Sequence, residues 1–209
     1  MSIIPSIKVL CVDDHPLIRE GIALMLQDYP SIRLVATANT GREALAHFLA
    51  YRPDVTLMDL RLPDYHGIDV IRQIIGIDRR ARLIALTTYS GDAQALSALK
   101  AGAMGFLLKT ALRSELFDAI KAVHRGQRRI CAEIAASLSE HITEDDLSSR
   151  EIDVLRGLSA GTRNKGIAAE LCISEETVKG HMKSAFEKLH VNNRTQALVI
   201  AMKRGLLDV

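Results

Sequence analysis

The feature that most constrains this chain is a repeat. A short apolar run ends in a polar residue, and a stretch with apolar residues at helical spacing follows, five times within the first 125 positions. The clearest instance is Val55-Thr56-Leu57-Met58 running into Asp59, with a polar segment containing Pro63 and Gly67 behind it. A run that is apolar at every position fits a parallel strand covered by helices on both faces. In an open parallel sheet, ligands bind outside the carboxyl ends of the strands. Asp59 falls at that edge.

The other runs are Ile7–Val12, ending at Asp13-Asp14; Ile32–Ala38; 82–87, ending at Thr87; and Gly105–Leu108, followed by Lys109. Between them, Pro16 suits a first helical turn. Leu17, Gly21, Leu24 and Met25 then recur at helical spacing to about Gln27. Ala44, Leu45 and Phe48 turn inward after Gly41, and Ile68, Ile71, Ile74 and Ile75 form a helix stopped by Gly76. Ala95, Leu96 and Leu99 mark the fourth helix, and Leu116, Ile120 and Val123 mark the fifth, over 112–125. Strand and helix alternating in this way predict an α/β domain over 1–125, with a five-stranded parallel sheet and helices on both faces. No glycine-rich phosphate loop follows any strand, which argues against nucleotide binding.

After residue 125 the pattern changes. Residues 126–146 read as a linker with a short apolar helix around 130–138, leading out through Glu144-Asp145-Asp146. From Leu147 only helical patterns remain, over 149–160, 164–171, 175–189 and 193–204, so a second, all-α domain is expected over 147–209. Net charge divides as +2 for 1–125, −3 for 126–146 and +3 for 147–209. The basic C-terminal third is weak support for a nucleic-acid contact. Cys11, Cys131 and Cys172 have no metal-ligand spacing and fit reduced, mostly buried thiols. No apolar run approaches the ~18 residues of a membrane span, and the N-terminus lacks the build of a signal peptide. A cytoplasmic protein is expected.

The polar residues that close the strands carry the chemistry. Asp13, Asp14, Asp59, Thr87 and Lys109 all fall at one sheet edge. Taken singly, each is more often a cap on a strand; five in register are not. Converging carboxylates raise one another's pKa and cost stability unless a cation is present. Oxygen ligands beside a phosphoryl group are the usual setting for Mg²⁺, and an aspartate can attack a phosphoryl donor as a nucleophile. Lys109 would neutralise a phosphoryl oxygen and Thr87 would donate to one.

The segments V-D-D-H at 12–15, M-D-L-R-L-P at 58–63 with Gly67, L-T-T at 86–88 and L-K-T at 108–110 resemble the receiver domain of bacterial two-component response regulators, across residues 7–125. The resemblance implies a flavodoxin-like (βα)5 fold with Asp59 as phosphoacceptor. It assigns Mg²⁺ (or Mn²⁺) to Asp14, Asp59 and the Arg61 main-chain carbonyl, with Asp13 acting through water. It also implies a switch in which Thr87 moves toward the phosphate and Phe106 turns inward. Phe in place of the commoner Tyr makes that half of the switch one of packing. Arg61 and Tyr89 border the phosphoryl site, and their bulk predicts slow autodephosphorylation. Thr110 stands where many receivers have Pro.

In the C-terminal third, Val178, Met182, Ala185 and Leu189 form one inward stripe, with Glu176, Gly180, Lys183 and Glu187 opposite and Thr177, Lys179 and Ser184 flanking. A short helix and tight turn before it make a helix-turn-helix pattern; a plain helical bundle with a charged face is the alternative. The segments at 147–155, 161–168, 171–181 and 188–197 resemble the LuxR/NarL (FixJ-like) DNA-binding domain. That resemblance directs Lys179, Gly180 and Lys183 at base edges and Thr177, His181 and Arg194 toward phosphates. Asn164 and Lys165 begin the supporting helix. Gly166 and His190 depart from the family's common Glu and Gly.

Together the two resemblances imply a transcriptional regulator phosphorylated by a sensor histidine kinase, binding double-stranded DNA half-sites as a homodimer, away from the membrane. A phosphatase with an aspartyl-phosphate intermediate is the rival. It typically needs a second acid two residues after the nucleophile, where Arg61 stands, so no substrate turnover is expected. A LuxR-type sensor of a small molecule would lack the five receiver positions.

Overall fold

A computed structural model describes residues 6–88, 92–130, 135 and 147–207. The chain divides into two compact units, the first made of residues 1–88 and 95–135 and the second of 89–94 and 136–209.

The first unit alternates strand and helix: β1 (Ile7–Val12), α1 (Pro16–Gln27), β2 (Ile32–Ala38), α2 (Gly41–Tyr51), β3 (Val55–Asp59), α3 (Gly67–Ile77), β4 (Leu83–Thr87), α4 (Asp92–Ala101), β5 (Gly105–Leu108), α5 (Leu112–His124) and β6 (Arg129–Ile130). All strands are parallel, in the order β2-β1-β3-β4-β5-β6. The central strands β3, β4 and β5 are buried along their whole length, while β2 at the edge is buried only at its ends. That is the expected consequence of helices on both faces of the sheet.

Several expectations are corrected. The sheet has six strands, because Arg129–Ile130 pairs with Gly105 and Phe106. Two residues are too short to show an apolar period, so this edge strand is indistinguishable from linker in the sequence. The helix expected over 130–138 lies mostly outside the described residues; Ile130 is strand and Ala135 helical. α3 continues through Gly76 to Ile77 and ends where Asp78 turns extended. One glycine in a last turn costs only ~1 kcal/mol against alanine. α1 buries Ile22 and Leu26, whereas Leu17 is 80% and Leu24 63% exposed. This helix carries two overlapping apolar stripes, and packing against the core with Ile18 and Met25 selects one of them. Cys11 is buried as expected but Cys172 is exposed, and Cys131 lies outside the described residues.

The second unit has α6 (Ser149–Ser159), α7 (Asn164–Glu170), α8 (Glu175–Lys188) and α9 (Arg194–Lys203). Each lies within about a residue of its expected bounds. Val154, Leu155, Leu158, Ile167, Val178, Ala185, Leu189, Ala197 and Ala201 form its core. Three helices start on side-chain caps: Ser148 accepts from Glu151 N, Ser174 from Thr177 N and Asn193 from Gln196 N. Such caps satisfy amide groups that have no partner inside the helix.

Candidate functional site

The sheet register assembles the polar edge. Val12 pairs with Met58, so Asp13 and Asp59 are neighbours one step further along. Asp59 pairs with Leu86 and Thr87 with Leu108, which puts Lys109 just beyond Thr87. Asp13, Asp59 and Thr87 are buried at 0%, 2% and 4% exposure. The Lys109 amine lies 2.8 Å from Asp13 Oδ2 and 2.7 Å from Asp59 Oδ2, closing an almost dry triad.

Main-chain groups hold the remaining oxygens. Arg61 N–H donates to Asp59 Oδ1 at 3.1 Å and His15 N–H donates to Asp13 Oδ1 at 3.0 Å. Arg19 donates to the Asp13 carbonyl at 2.6 Å. His15 Nδ1 lies 2.6 Å from Asp14 Oδ1, but off the line of a hydrogen bond, so this buried oxygen accepts none. His15 appears in the V-D-D-H motif without a role, and no sequence pattern marks Arg19. Carboxylate oxygens of Asp13, Asp14 and Asp59 and a ring nitrogen of His15 lie within 4.8 Å of one another. A hard divalent cation takes oxygen ligands of this kind. The uncommitted Asp14 oxygen and the two buried carboxylates fit such an ion.

Burial pushes the Asp59 pKa upward, against the hydrogen bond and charge of Lys109 and the Arg61 amide. Burial alone would lower Lys109, but its hydrogen bonds to Asp13 and Asp59 outweigh that and raise its pKa, so it stays charged. The Cys11 thiol beneath them is pushed up to about 12, first by burial and then by Asp13, which makes it inert.

The loop after β3 is fixed from two sides. Gly67 N–H donates to the Leu60 carbonyl at 2.9 Å. A Cβ at Gly67 would stand 2.0 Å from the Asp59 carbonyl oxygen, so only glycine permits this approach. Asp64 accepts from the Gly41 and Arg42 amides at the start of α2, at 2.7 and 3.0 Å. No sequence signal marked that role for Asp64, because its partners are 22 and 23 residues away. Phe106 is wholly buried, paired with Ala85.

In the second unit, Thr177, Lys179, Gly180 and Lys183 on α8 are exposed, as are Lys165 and Arg194, while His181 and Asn164 are half-buried. α7, a short turn and α8 form the expected helix-turn-helix. Lys179 contacts Glu176 at 3.3 Å and Lys183 contacts Glu187 at 4.0 Å, exposed pairs along one helix. Pairs of that kind are weak and leave both lysines available to a phosphate or base. His190 follows α8 at φ +53, the left-handed position where helices favour glycine. The helix still ends there, with His190 N–H donating to the Glu187 carbonyl.

Ser184 does not flank the outer face. Its hydroxyl donates to Glu151 Oε1 at 2.6 Å, while Lys188 at 3.0 Å and Ser148 N–H at 2.6 Å take Oε2. Glu151 therefore ties α6 to α8. Burial works against its charge, but the Ser184, Ser148 and Lys188 hydrogen bonds hold its pKa down at about 2. The capping-box spacing Ser148-x-x-Glu151 was a visible signal for part of this.

Among the described residues, no helix is long and apolar enough to cross a membrane. The family model of the response regulator receiver domain matches residues 9–121, and that of the bacterial regulatory proteins of the luxR family matches 145–201. The chain is 34% identical over 210 residues to the transcriptional regulatory protein YdfI of Bacillus subtilis (strain 168), covering 97% of this chain and 98% of that one. It is similar to the crystal structure of the response regulator ChrA of a heme-sensing two-component system, with 37% identity, a TM-score of 0.57, and 97% and 99% coverage. A structure of two RcsB dimers bound to two parallel DNAs matches with 25% identity, a TM-score of 0.70, and 95% and 98% coverage. The receiver edge, the helix-turn-helix and these likenesses agree: the chain belongs to the two-component response regulators with a LuxR-type DNA-binding domain, a family of transcriptional regulators.

Proposed function

We propose that DNA binding by this regulator is switched by transfer of a phosphoryl group from a sensor histidine kinase to Asp59. The observation that carries this reading is the Lys109 amine seated between Asp13 and Asp59. A buried ammonium there neutralises a phosphoryl oxygen once Asp59 has reacted. In the transfer, a carboxylate oxygen of Asp59 attacks phosphorus and the P–N bond of the donor phosphohistidine breaks. The imidazole keeps the electron pair. Asp14, Asp59 and the Arg61 carbonyl would hold Mg²⁺ (or Mn²⁺), with Asp13 acting through water. That ion supplies the positive charge that offsets the incoming phosphoryl group.

Thr87 donates to the bound phosphoryl group, and Phe106 contributes through packing, since it lacks a hydroxyl. The modified receiver favours a homodimer on paired DNA half-sites, read by Lys179, Gly180 and Lys183. Thr177, His181 and Arg194 would contact phosphates, with Asn164 and Lys165 at the start of the supporting helix. The dimers seen for RcsB on DNA support this arrangement by likeness. A coupling of ~1–3 kcal/mol between the two states suffices. The protein acts in the cytoplasm and turns over no substrate beyond its own phosphoryl group.

Acetyl phosphate or beryllofluoride with Mg²⁺ is expected to promote dimers and DNA binding, measured by light scattering and mobility shift. Asp59→Asn is expected not to respond; an equal response in that variant refutes the mechanism. A steady-state phosphatase assay separates the enzyme reading, which requires turnover beyond self-dephosphorylation.

A further inference from the structure

The sheet edge opposite Asp59, where the strands begin, concentrates arginine. One loop enters β4 and carries Arg79, Arg80 and Arg82; another enters β6 and carries Arg125 and Arg128, with Arg129 opening that strand. β5 lies between the two, since Ile84 pairs with Gly105 and Gly105 with Arg129. Two strand spacings put the loops ~10 Å apart. Five of the six arginines are exposed and Arg82 is half-exposed.

Two carboxylates stand near these charges, Asp78 and, at the entry of the neighbouring β3, Asp54, whose Oδ2 accepts from Lys8 N–H at 2.7 Å. Asp78 is the sole carboxylate within 77–82 and 124–130, and its Oδ1 is occupied by the Arg80 amide at 2.9 Å. Among the described residues none of the six guanidinium groups pairs with a carboxylate; Arg125 contacts only the Gln127 side chain, at 3.4 Å. Clustered cations repel one another and attract polyanions. The choice of arginine at all six positions favours phosphate, which its planar fork grips through two parallel hydrogen bonds.

We propose that this edge binds the phosphodiester backbone of duplex DNA beside the segment held by the helix-turn-helix unit. The inference rests on DNA binding by that unit. Duplex DNA is favoured over an acidic protein because of where the arginines stand along the chain. Sixteen residues separate Ile130 from Leu147, a tether that spans at most ~55 Å. DNA held by the second unit is thus presented to this edge at high local concentration.

The test compares the salt dependence of full-length protein binding to random-sequence duplexes of 14 and 40 base pairs, followed by fluorescence anisotropy. Each lost phosphate contact flattens the slope of log K against log salt by ~0.9. Arg79→Gln/Arg80→Gln/Arg82→Gln is expected to flatten the slope on the long duplex by about 3, and Arg125→Gln/Arg128→Gln by about 2. Neither set changes binding to the short duplex. The charge-matched control Arg42→Gln/Arg72→Gln/Arg113→Gln leaves both slopes unchanged, and circular dichroism verifies folding of each variant. Equal slopes for edge variants and wild type overturn the proposal, as does an equal change in the control, which would reduce the effect to net charge. Binding of polyglutamate that depends on the edge arginines, with an unaltered DNA slope, would assign the surface to an acidic protein instead. Wild-type protein that binds neither duplex would overturn both this proposal and the DNA-binding reading beneath it.

Discussion

Replacing Glu151 with glutamine keeps the shape of the side chain and removes its charge. The amide oxygen can still accept from Ser148 N–H, and the amide nitrogen can donate to the Ser184 hydroxyl, so the packing survives. The attraction to Lys188, 3.0 Å away, and the charge-assisted strength of the other two bonds are lost. The Glu151 carboxyl sits at about 2 instead of the ordinary 4.5. That difference, at 1.36 kcal/mol per pKa unit, bounds the loss at about 3 kcal/mol, and about 2–3 kcal/mol is expected. The sign follows from a depressed acid pKa. The stabilisation is fully present above pH 4.5 and disappears as pH falls toward about 2. Amide hydrogen exchange over α6 and α8 in the full-length protein reads the effect locally. At neutral pH these amides should exchange ~30–150-fold faster in Glu151→Gln. After correction for intrinsic exchange rates, the gap should narrow below pH 4 as wild type loses its advantage. Equal protection at neutral pH would refute the reasoning, and so would a gap that does not narrow on acidification.

Two further perturbations test the local geometry. Gly67→Ala drives a methyl group into the Asp59 carbonyl and the Leu60 Cα, at 2.0 and 2.7 Å. It should destabilise the receiver by ~2–3 kcal/mol and impair phosphoryl acceptance; an unchanged melting temperature together with normal labelling from acetyl phosphate would contradict the close packing. His190→Gly relieves the left-handed backbone at φ +53 and is expected to stabilise the α8–α9 region by about 0.5–1 kcal/mol. Slower exchange of the Val191 amide, which bonds the Phe186 carbonyl across that turn, is the readout; faster exchange would count against strain there.

The elements that were legible beforehand share a physical property: their signal lies within a few adjacent residues. An apolar run ending at Asp59 or Lys109 is a local pattern, and so is the period of Val178, Met182, Ala185 and Leu189. The five edge residues could be placed because parallel strands bring their carboxyl ends to one side whatever the helices do. Where two patterns compete, local reading loses its grip. α1 offers one stripe through Leu17 and Leu24 and another through Ile22 and Leu26, and only the second is buried. β6 is too short to have a period at all.

By itself, then, the sequence determined the strand–helix alternation, the identity of the polar residues at the carboxyl edge of the sheet and the helix-turn-helix, because propensity, periodicity and capping act over one or two turns of chain. Tertiary structure alone decided which face of α1 is buried, that Arg129–Ile130 completes the sheet, that Asp64 caps a helix begun 23 residues earlier, and that Glu151 reaches Ser184 and Lys188. Each depends on partners far apart in the chain, and their meeting is set by burial of the whole core, which no short stretch encodes.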